Sequence, residues 1–180
     1  MPLIDYAGRV LDDPWRFLAD DEALPERGPI AVSLARWRAE RKTLLRHDGP
    51  LGLALKGHES AEHAAGDLEQ FGLITLEFPK FTDGRAYSTA RLLRERHGYA
   101  GELRAVGAVL RDQLQFLKRC GFDSFVLADE VALGEIARAL KEITVVYQHA
   151  ADGPRWTAER SLGDHAGPGD SAISKAYRAN

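Results

Sequence analysis

The sequence predicts an α/β fold, a single domain of repeated βα units whose sheet is mostly parallel. Short segments that are apolar on both faces, such as residues 51–55 and 73–78, alternate with amphipathic helical patterns. A weak internal repeat relates residues 68–73 to residues 117–122, as duplication of βα units produces. About five or six such units are too few for a closed eight-fold barrel. We therefore expect an open sheet or a partial barrel with one uncovered flank.

Residues 1–29 are predicted to form an N-terminal arm. Residues 3–11 alternate weakly in polarity, which is typical of an edge strand or a hairpin, and Asp-Asp-Pro-Trp at 12–15 indicates a turn. The acidic stretch that starts at Asp20 is expected to be a solvated loop. We expect the apolar side chains of Trp15, Phe17 and Leu18 to pack on the domain.

The domain itself is predicted to span residues 30–149. Pro50 and Pro79 end the elements that precede them, and Gly72, Gly98 and Gly121 end helices. Apolar side chains recur three or four positions apart within each helical segment. Predicted strands cover residues 30–34, 51–55, 73–78, 102–106, 122–128 and 143–147. Predicted helices cover residues 38–47, with Leu44 and Leu45 inward, and 60–71, 84–97, 109–120 and 131–142. Residues 150–180, rich in glycine, alanine and polar residues, are predicted to be an extended or partly disordered tail.

Composition disfavours several classes of function. A net charge of −3 and a pI near 6.1 argue against a nucleic-acid-binding protein. Cys120 is the one cysteine, so the chain can form neither an internal disulfide nor a cysteine-ligated iron–sulfur cluster, and the six histidines are too scattered to predict a metal site. The sequence has no apolar run of membrane-spanning length and no signal-peptide pattern, so we expect a cytoplasmic protein without membrane contact.

The strongest candidate site is the loop that follows the predicted strand 73–78. Thr82 and Asp83 are good helix N-caps, and backbone N–H groups at a helix start bind anions readily. Ligands of open parallel sheets bind beyond the carboxyl ends of strands, where this loop lies. The predicted anion site consists of Lys80, Asp83, Arg85 and Ser88, with Asp83 as a cap or an acid/base. The alternative is a capped helix with a surface lysine and arginine.

A second set of polar residues belongs to the next βα unit. Arg104 lies inside an apolar predicted strand, so it needs a carboxylate partner, for which Asp83 and Asp112 are candidates, or a ligand. Asp112 and Gln113 start the following helix and are expected at the same end of the sheet. We therefore predict that Arg104, Asp112 and Gln113 share a cleft with Lys80 and Arg85, against the alternative that Arg104 forms a structural ion pair. Charged residues 91–96 are predicted to be a solvated face, and Cys120 a small buried side chain.

An ordered series of motifs resembles a bacterial family of unknown function. They are Phe-Pro-Lys-Phe-Thr-Asp-Gly-Arg at 78–85, Gly-Tyr-Ala-Gly-Glu-Leu-Arg-Ala-Val-Gly at 98–107, Leu-Arg-Asp-Gln-Leu at 110–114 and Arg-Cys-Gly-Phe-Asp at 119–123. That family is labelled as an oxidoreductase of sulfite reduction. The resemblance implies a cytoplasmic role in sulfur assimilation but assigns no catalytic residue. Ala86 and Ala108 depart from the family pattern, which often has glycine and an acidic residue there.

Three hypotheses follow. The first is an accessory or oxidoreductase-type protein of assimilatory sulfite reduction that binds a small oxyanion or sulfur intermediate. Without cluster-forming cysteines or a dinucleotide fingerprint, such a protein is expected to rely on a partner or on a cofactor that the sequence does not identify. The second is a non-catalytic module that docks the sulfite reductase haemoprotein or its electron donor. The third is an unrelated small-anion enzyme on a partial βα barrel. A homo-oligomer that covers the open sheet edge is compatible with each.

Overall fold

The computed structural model describes residues 2–127, whose strands form one eight-stranded sheet in the order β2-β1-β8-β7-β6-β5-β4-β3. Strands β3 to β8 run parallel in chain order, whereas β1 is antiparallel to β8 and β2 is antiparallel to β1. The strands are β1 Leu3–Asp5, β2 Val10–Leu11, β3 Arg16–Phe17, β4 Ile30–Ser33, β5 Leu51–Leu55, β6 Phe71–Phe78, β7 Glu102–Gly107 and β8 Ser124–Val126.

Helical segments connect the parallel strands from β4 to β8 and cover one face of the sheet, as right-handed crossovers between sequential strands require, whereas a loop joins β3 to β4. Their bounds are α1 Leu34–Leu44, α2 Arg85–Arg91 with a π-helical extension Leu92–Arg96, α3 Leu114–Arg119, and 3₁₀ segments Ala61–Gln70 and Arg111–Gln113. The hydrophobic core lies between these helices and the sheet. Trp37 of α1, Leu93 beyond α2 and Leu117 of α3 are buried there with sheet residues such as Ile74 and Phe125.

The sheet must be strongly curled. Leu11 belongs to one terminal strand and Arg16 to the other, although they are only five positions apart in the chain. Five residues span at most about 18 Å, whereas the seven strand spacings of a flat eight-stranded sheet would separate its edges by about 33 Å. The two edges therefore approach each other, and the sheet forms a half-barrel, which confirms the predicted fold class.

Residues 12–15, here called the strap, cross the open side of the half-barrel. Asp13 forms an ion pair with Arg104 of β7. The Trp15 ring lies against Gly52 of β5 and Gly72 of β6, with ring atoms 3.2 and 3.4 Å from the positions that a Cβ atom would take at these glycines. The strap therefore passes over the concave face, and glycine at 52 and 72 leaves room for the indole.

The concave face carries a polar row across the middle of the sheet. Thr75 of β6, Arg104 of β7 and Ser124 of β8 are direct register neighbours, and all three are buried. The same row continues to Ser33 and Ala54 on one side and to Asp5 on the other. Because side chains alternate across a strand, the intervening apolar residues face the helices.

The predicted elements up to residue 127 are largely confirmed, with shifted bounds. The segment 60–71 forms 3₁₀ turns rather than an α-helix, and β6 begins two residues earlier than predicted, because a bulge opposite Leu51 admits Gly72 into the strand. Helix α1 begins at Leu34, capped by Ser33, and Leu45 is exposed instead of inward. The predicted helix 131–142, strand 143–147 and tail 150–180 lie outside the described residues.

The arm is more closely integrated than the prediction of a separate N-terminal segment suggests. It supplies the hairpin β1–β2 at one sheet edge and β3 at the other, so the predicted edge strand is confirmed. The acidic stretch is a loop without regular structure in which Asp20 and Asp21 are exposed, as predicted, but it is also anchored. The buried Arg36 donates to the carbonyls of Ala19 and Glu22 at 2.5 and 2.6 Å, and Ser33 Oγ donates to Asp20 Oδ1 at 2.5 Å. These contacts hold the chain between β3 and β4 against α1.

Candidate functional site

The loop between β6 and α2 lies at the carboxyl end of the parallel strands, as predicted. β6 ends at Phe78 before Pro79, which has no N–H to donate to the sheet, and α2 begins at Arg85. Asp83 Oδ1 accepts a hydrogen bond of 3.2 Å from the backbone N–H of Arg85, so Asp83 satisfies a donor at the helix start. Lys80 and Ser88 are exposed. Ser88 stands one helical turn after Arg85 and thus on the same face.

Asp83 and Arg85 form an ion pair within this loop. Arg85 Nη2 lies 2.6 Å and Nε 3.0 Å from the Asp83 carboxylate oxygens. These hydrogen bonds, with the Arg85 backbone N–H and the nearby charges, lower the pKa of Asp83 to about 2. Asp83 is therefore a carboxylate at neutral pH and too weak a base for general acid/base work. The N-cap of α2 is Gly84, which has no side chain to cap the helix, so the prediction of Thr82 or Asp83 as N-cap was wrong, and Asp83 instead accepts the Arg85 N–H from one residue before the cap. An anion at this site would share Arg85 with Asp83.

The loops after β6 and β7 are joined to each other. Gln113 Nε2 donates to the Phe81 carbonyl at 2.8 Å, and its Oε1 accepts the backbone N–H of Leu110 at 3.0 Å. The backbone N–H of Ala108 donates to the Phe78 carbonyl at 2.7 Å. The structure therefore brings Gln113 next to the loop that carries Lys80, Asp83 and Arg85. The exposed Asp112 precedes Gln113 in the same 3₁₀ segment. We call the cluster of Lys80, Asp83, Arg85, Asp112 and Gln113 the rim.

Arg104 does not belong to the rim. It pairs with Thr75, three residues or about 10 Å along the strand before β6 ends. Its Nη1 lies 2.8 Å from Asp13 of the strap, and its Nε lies 3.0 Å from Glu102, two residues toward the amino end of β7. The predicted partners Asp83 and Asp112 were therefore wrong, because the sequence cannot show that the arm crosses the concave face at this point.

One residue with a structural role was missed by the sequence analysis. Arg94 belongs to the charged segment that was predicted to be solvated, but only 16% of its side chain is exposed. Its guanidinium donates to the carbonyls of Tyr99, Gly101 and Gly121 at 2.5 to 2.9 Å and contacts Asp123 at 2.5 Å. Arg94 thus fixes the turns at the amino ends of β7 and β8. No sequence signal separates it from its exposed neighbour Arg91.

Two exposed aromatic side chains flank the rim. Phe81 is 58% and Phe116 is 54% exposed. The Tyr87 ring of α2 packs edge-on against Phe116 at a centroid distance of 4.7 Å and against Phe78 at 5.0 Å. Because Gln113 bonds to the Phe81 backbone and lies one turn before Phe116 on the same helical face, both aromatic rings lie near the rim. An apolar surface with lysine and arginine beside it suits contact with another protein.

The remaining candidates add no further site. Cys120 is buried at the end of α3, as predicted for a structural side chain. Within residues 2–127, no three His, Cys, Asp or Glu side chains are grouped so that they could hold a metal ion. Over the same range, the helices are too short or too polar to cross a membrane.

A family model described as a bacterial protein of unknown function, DUF934, matches residues 52–157 of this chain. The match covers more than half of the chain and includes β5 to β8 and the whole rim, so the chain belongs to this family. A search of curated proteins found no match.

Proposed function

We propose that this DUF934 protein is an accessory or oxidoreductase-type component of assimilatory sulfite reduction that binds a small oxyanion or sulfur intermediate at the rim. The sulfur-assimilation part of the proposal comes from the resemblance of the motifs at 78–85 and 98–123 to a family with that label. Under this proposal, the protein acts in the cytoplasm with the sulfite reductase haemoprotein or its electron donor as its partner. The rim accounts for where the ligand would bind.

The observation that best supports the anion site is the hydrogen bond between the loops that follow β6 and β7. Gln113 holds the Phe81 carbonyl, so the segment that presents Lys80 and Arg85 is supported by the neighbouring βα unit. Within the loop after β6, Lys80 and Arg85 outweigh the charge of Asp83, whereas Asp112 on the neighbouring segment makes the rim as a whole neutral. The start of α2 adds backbone N–H groups that favour an anion. Ser88, one turn into the helix, adds a hydroxyl donor on the same face.

The test combines binding with activity. Thermal shifts are measured with sulfite, sulfate, phosphate and adenylyl sulfate, because a ligand at about 100 times its dissociation constant adds roughly 2.7 kcal/mol of stability. We expect stabilisation by at least one of these ligands, loss of that effect in Lys80→Ala/Arg85→Ala, and an increase in sulfite reductase turnover that the double variant also loses. Arg91→Ala, which removes an exposed arginine paired with Glu95, is the matched control. A protein that responds to none of the anions and leaves turnover unchanged contradicts the proposal.

A second candidate function is supported by the exposed aromatic pair. In this alternative, Phe81 and Phe116 form a non-catalytic docking surface for the haemoprotein or its electron donor. Phe81→Ser/Phe116→Ser then abolishes co-purification, whereas Lys80→Ala/Arg85→Ala leaves the complex intact. Leu92→Ser removes another exposed apolar side chain, in the π-helical extension of α2, and serves as the control. A complex that survives loss of both phenylalanines excludes this surface.

A further inference from the structure

We propose that Arg104 forms a second anion site, separate from the rim, which the Asp13 carboxylate of the strap occupies in this structure. The ligand class is a small oxyanion or a carboxylate that replaces Asp13. The inference goes beyond the proposed function, because it assigns a different site and does not depend on Lys80 or Arg85.

The two carboxylate partners of Arg104 differ in how they are held. The guanidinium is 1% exposed and therefore needs charged partners. Glu102 belongs to the same strand, and its Oε1 is fixed by hydrogen bonds from Arg104 Nε at 3.0 Å and Ser124 Oγ at 2.6 Å. Asp13 comes from a segment without regular structure, 91 residues away along the chain, and 35% of its side chain is exposed. Glu102 thus belongs to the sheet, whereas Asp13 reaches Arg104 from the strap.

The chemistry of the position suits an exchange of anions. Arg104 Nη1 makes the 2.8 Å contact with Asp13, and guanidinium N–H groups bind carboxylates and tetrahedral oxyanions in the same way. A carboxylate such as acetate in place of Asp13 leaves the net charge around the guanidinium unchanged, so that exchange introduces no uncompensated buried charge. Sulfate, a dianion, adds one negative charge but offers more acceptor oxygens to the guanidinium. Thr75 and Ser124 place hydroxyl-bearing side chains on both neighbouring strands.

Asp13 is held by contacts within the strap as well as by Arg104. The strap lies between β2 and β3, which are terminal strands of two residues each. The Trp15 ring over Gly52 and Gly72 holds one end, and Asp13 Oδ1 accepts the Trp15 backbone N–H at 3.2 Å. An external anion must therefore displace Asp13 from Arg104, and the apparent affinity of the site is lowered by the fraction of molecules in which Asp13 is bound.

The decisive variant is Asp13→Asn, which removes the competing charge and keeps the shape of the side chain. Sulfate and acetate are titrated into the full chain by calorimetry at constant ionic strength. We expect at least one of them to bind about tenfold or more tightly than to the wild type. Asp12→Asn, which neutralises the adjacent exposed strap carboxylate, should behave as the wild type. Equal affinities in Asp13→Asn and the wild type, or an equal gain in Asp12→Asn, overturn the proposal.

Two further measurements localise the effect. The gain must disappear in Asp13→Asn/Arg104→Gln and must persist in Asp13→Asn/Lys80→Ala/Arg85→Ala, which separates this site from the rim. Hydrogen exchange of the wild-type chain decides the case if the Arg104 variant does not fold. Saturating sulfate or acetate, whichever binds Asp13→Asn, should then raise amide exchange in residues 12–15 through release of the strap, and unchanged exchange in that segment with both anions overturns the proposal.

Discussion

The side-chain amide of Gln113 donates a 2.8 Å hydrogen bond to the backbone carbonyl of Phe81, which ties the turn after β7 to the loop after β6. Its carbonyl oxygen simultaneously accepts the backbone N–H of Leu110. One side chain thus joins two βα units at the end of the sheet where the candidate anion site lies.

Gln113→Ala is expected to loosen the loop that carries Lys80 and Arg85. Loss of the two hydrogen bonds should lower the free energy of unfolding by about 1 to 2 kcal/mol, and amide exchange in residues 80–84 should increase. Denaturant titration and exchange mass spectrometry measure both effects. Gln70→Ala, which removes an exposed glutamine at the end of the 3₁₀ segment, should change neither. A loop that exchanges at the wild-type rate in Gln113→Ala contradicts the assigned role.

Arg94→Ala is expected to be strongly destabilising. The guanidinium bonds to three backbone carbonyls and to Asp123, whose carboxylate also accepts the Leu103 backbone N–H. Its removal leaves the three part-buried carbonyls without this donor, at a cost of about 3 kcal/mol. Arg91→Ala breaks only an exposed pair with Glu95 and should cost about 0.5 kcal/mol or less. Equal stability losses in the two variants would show that Arg94 belongs to a solvated face after all.

Gly107→Ala tests the turn that joins the two loops. Gly107 has a φ of +90°, and a Cβ built there would lie 2.5 Å from the Phe78 carbonyl oxygen. The substitution should therefore destabilise the fold by about 2 kcal/mol or more through strain and steric conflict. Gly66→Ala is the matched control, because no atom lies within 4 Å of its Cβ position. Thermal unfolding should rank Gly66→Ala near the wild type and Gly107→Ala well below it.

The Asp83–Arg85 ion pair predicts a pH dependence of stability. Folding lowers the pKa of Asp83 from 3.8 to about 2, so the unfolded chain binds this proton more readily than the folded chain does. The resulting stabilisation is fully present above about pH 4 and is lost as the pH falls toward 2. The melting temperature of the wild type should exceed that of Asp83→Asn at pH 6, and the difference should shrink toward pH 2. A difference that stays constant over this interval contradicts the ion-pair assignment.

The site was predictable in part. The loop 78–85 and Gln113 could be placed together, because regular βα units put strand ends on one edge and the motifs mark where each strand stops. The partners of Arg104 could not be predicted, because Asp13 is distant in the chain and no local pattern directs it there. Arg94 was missed for a related reason: a helical arginine that binds carbonyls of distant turns has the same sequence signature as a solvated one.

The alternation of apolar strands with amphipathic helices was sufficient to predict repeated βα units and a mostly parallel sheet, since periodicity and turn residues act over a few neighbouring positions, whereas the order of the strands in the sheet came from the structure. Tertiary structure alone decided that the arm joins both edges of a curled sheet and that its strap lies across the concave face. Such contacts arise when the chain closes on itself, and closure depends on the shape of the whole sheet rather than on any segment of the sequence.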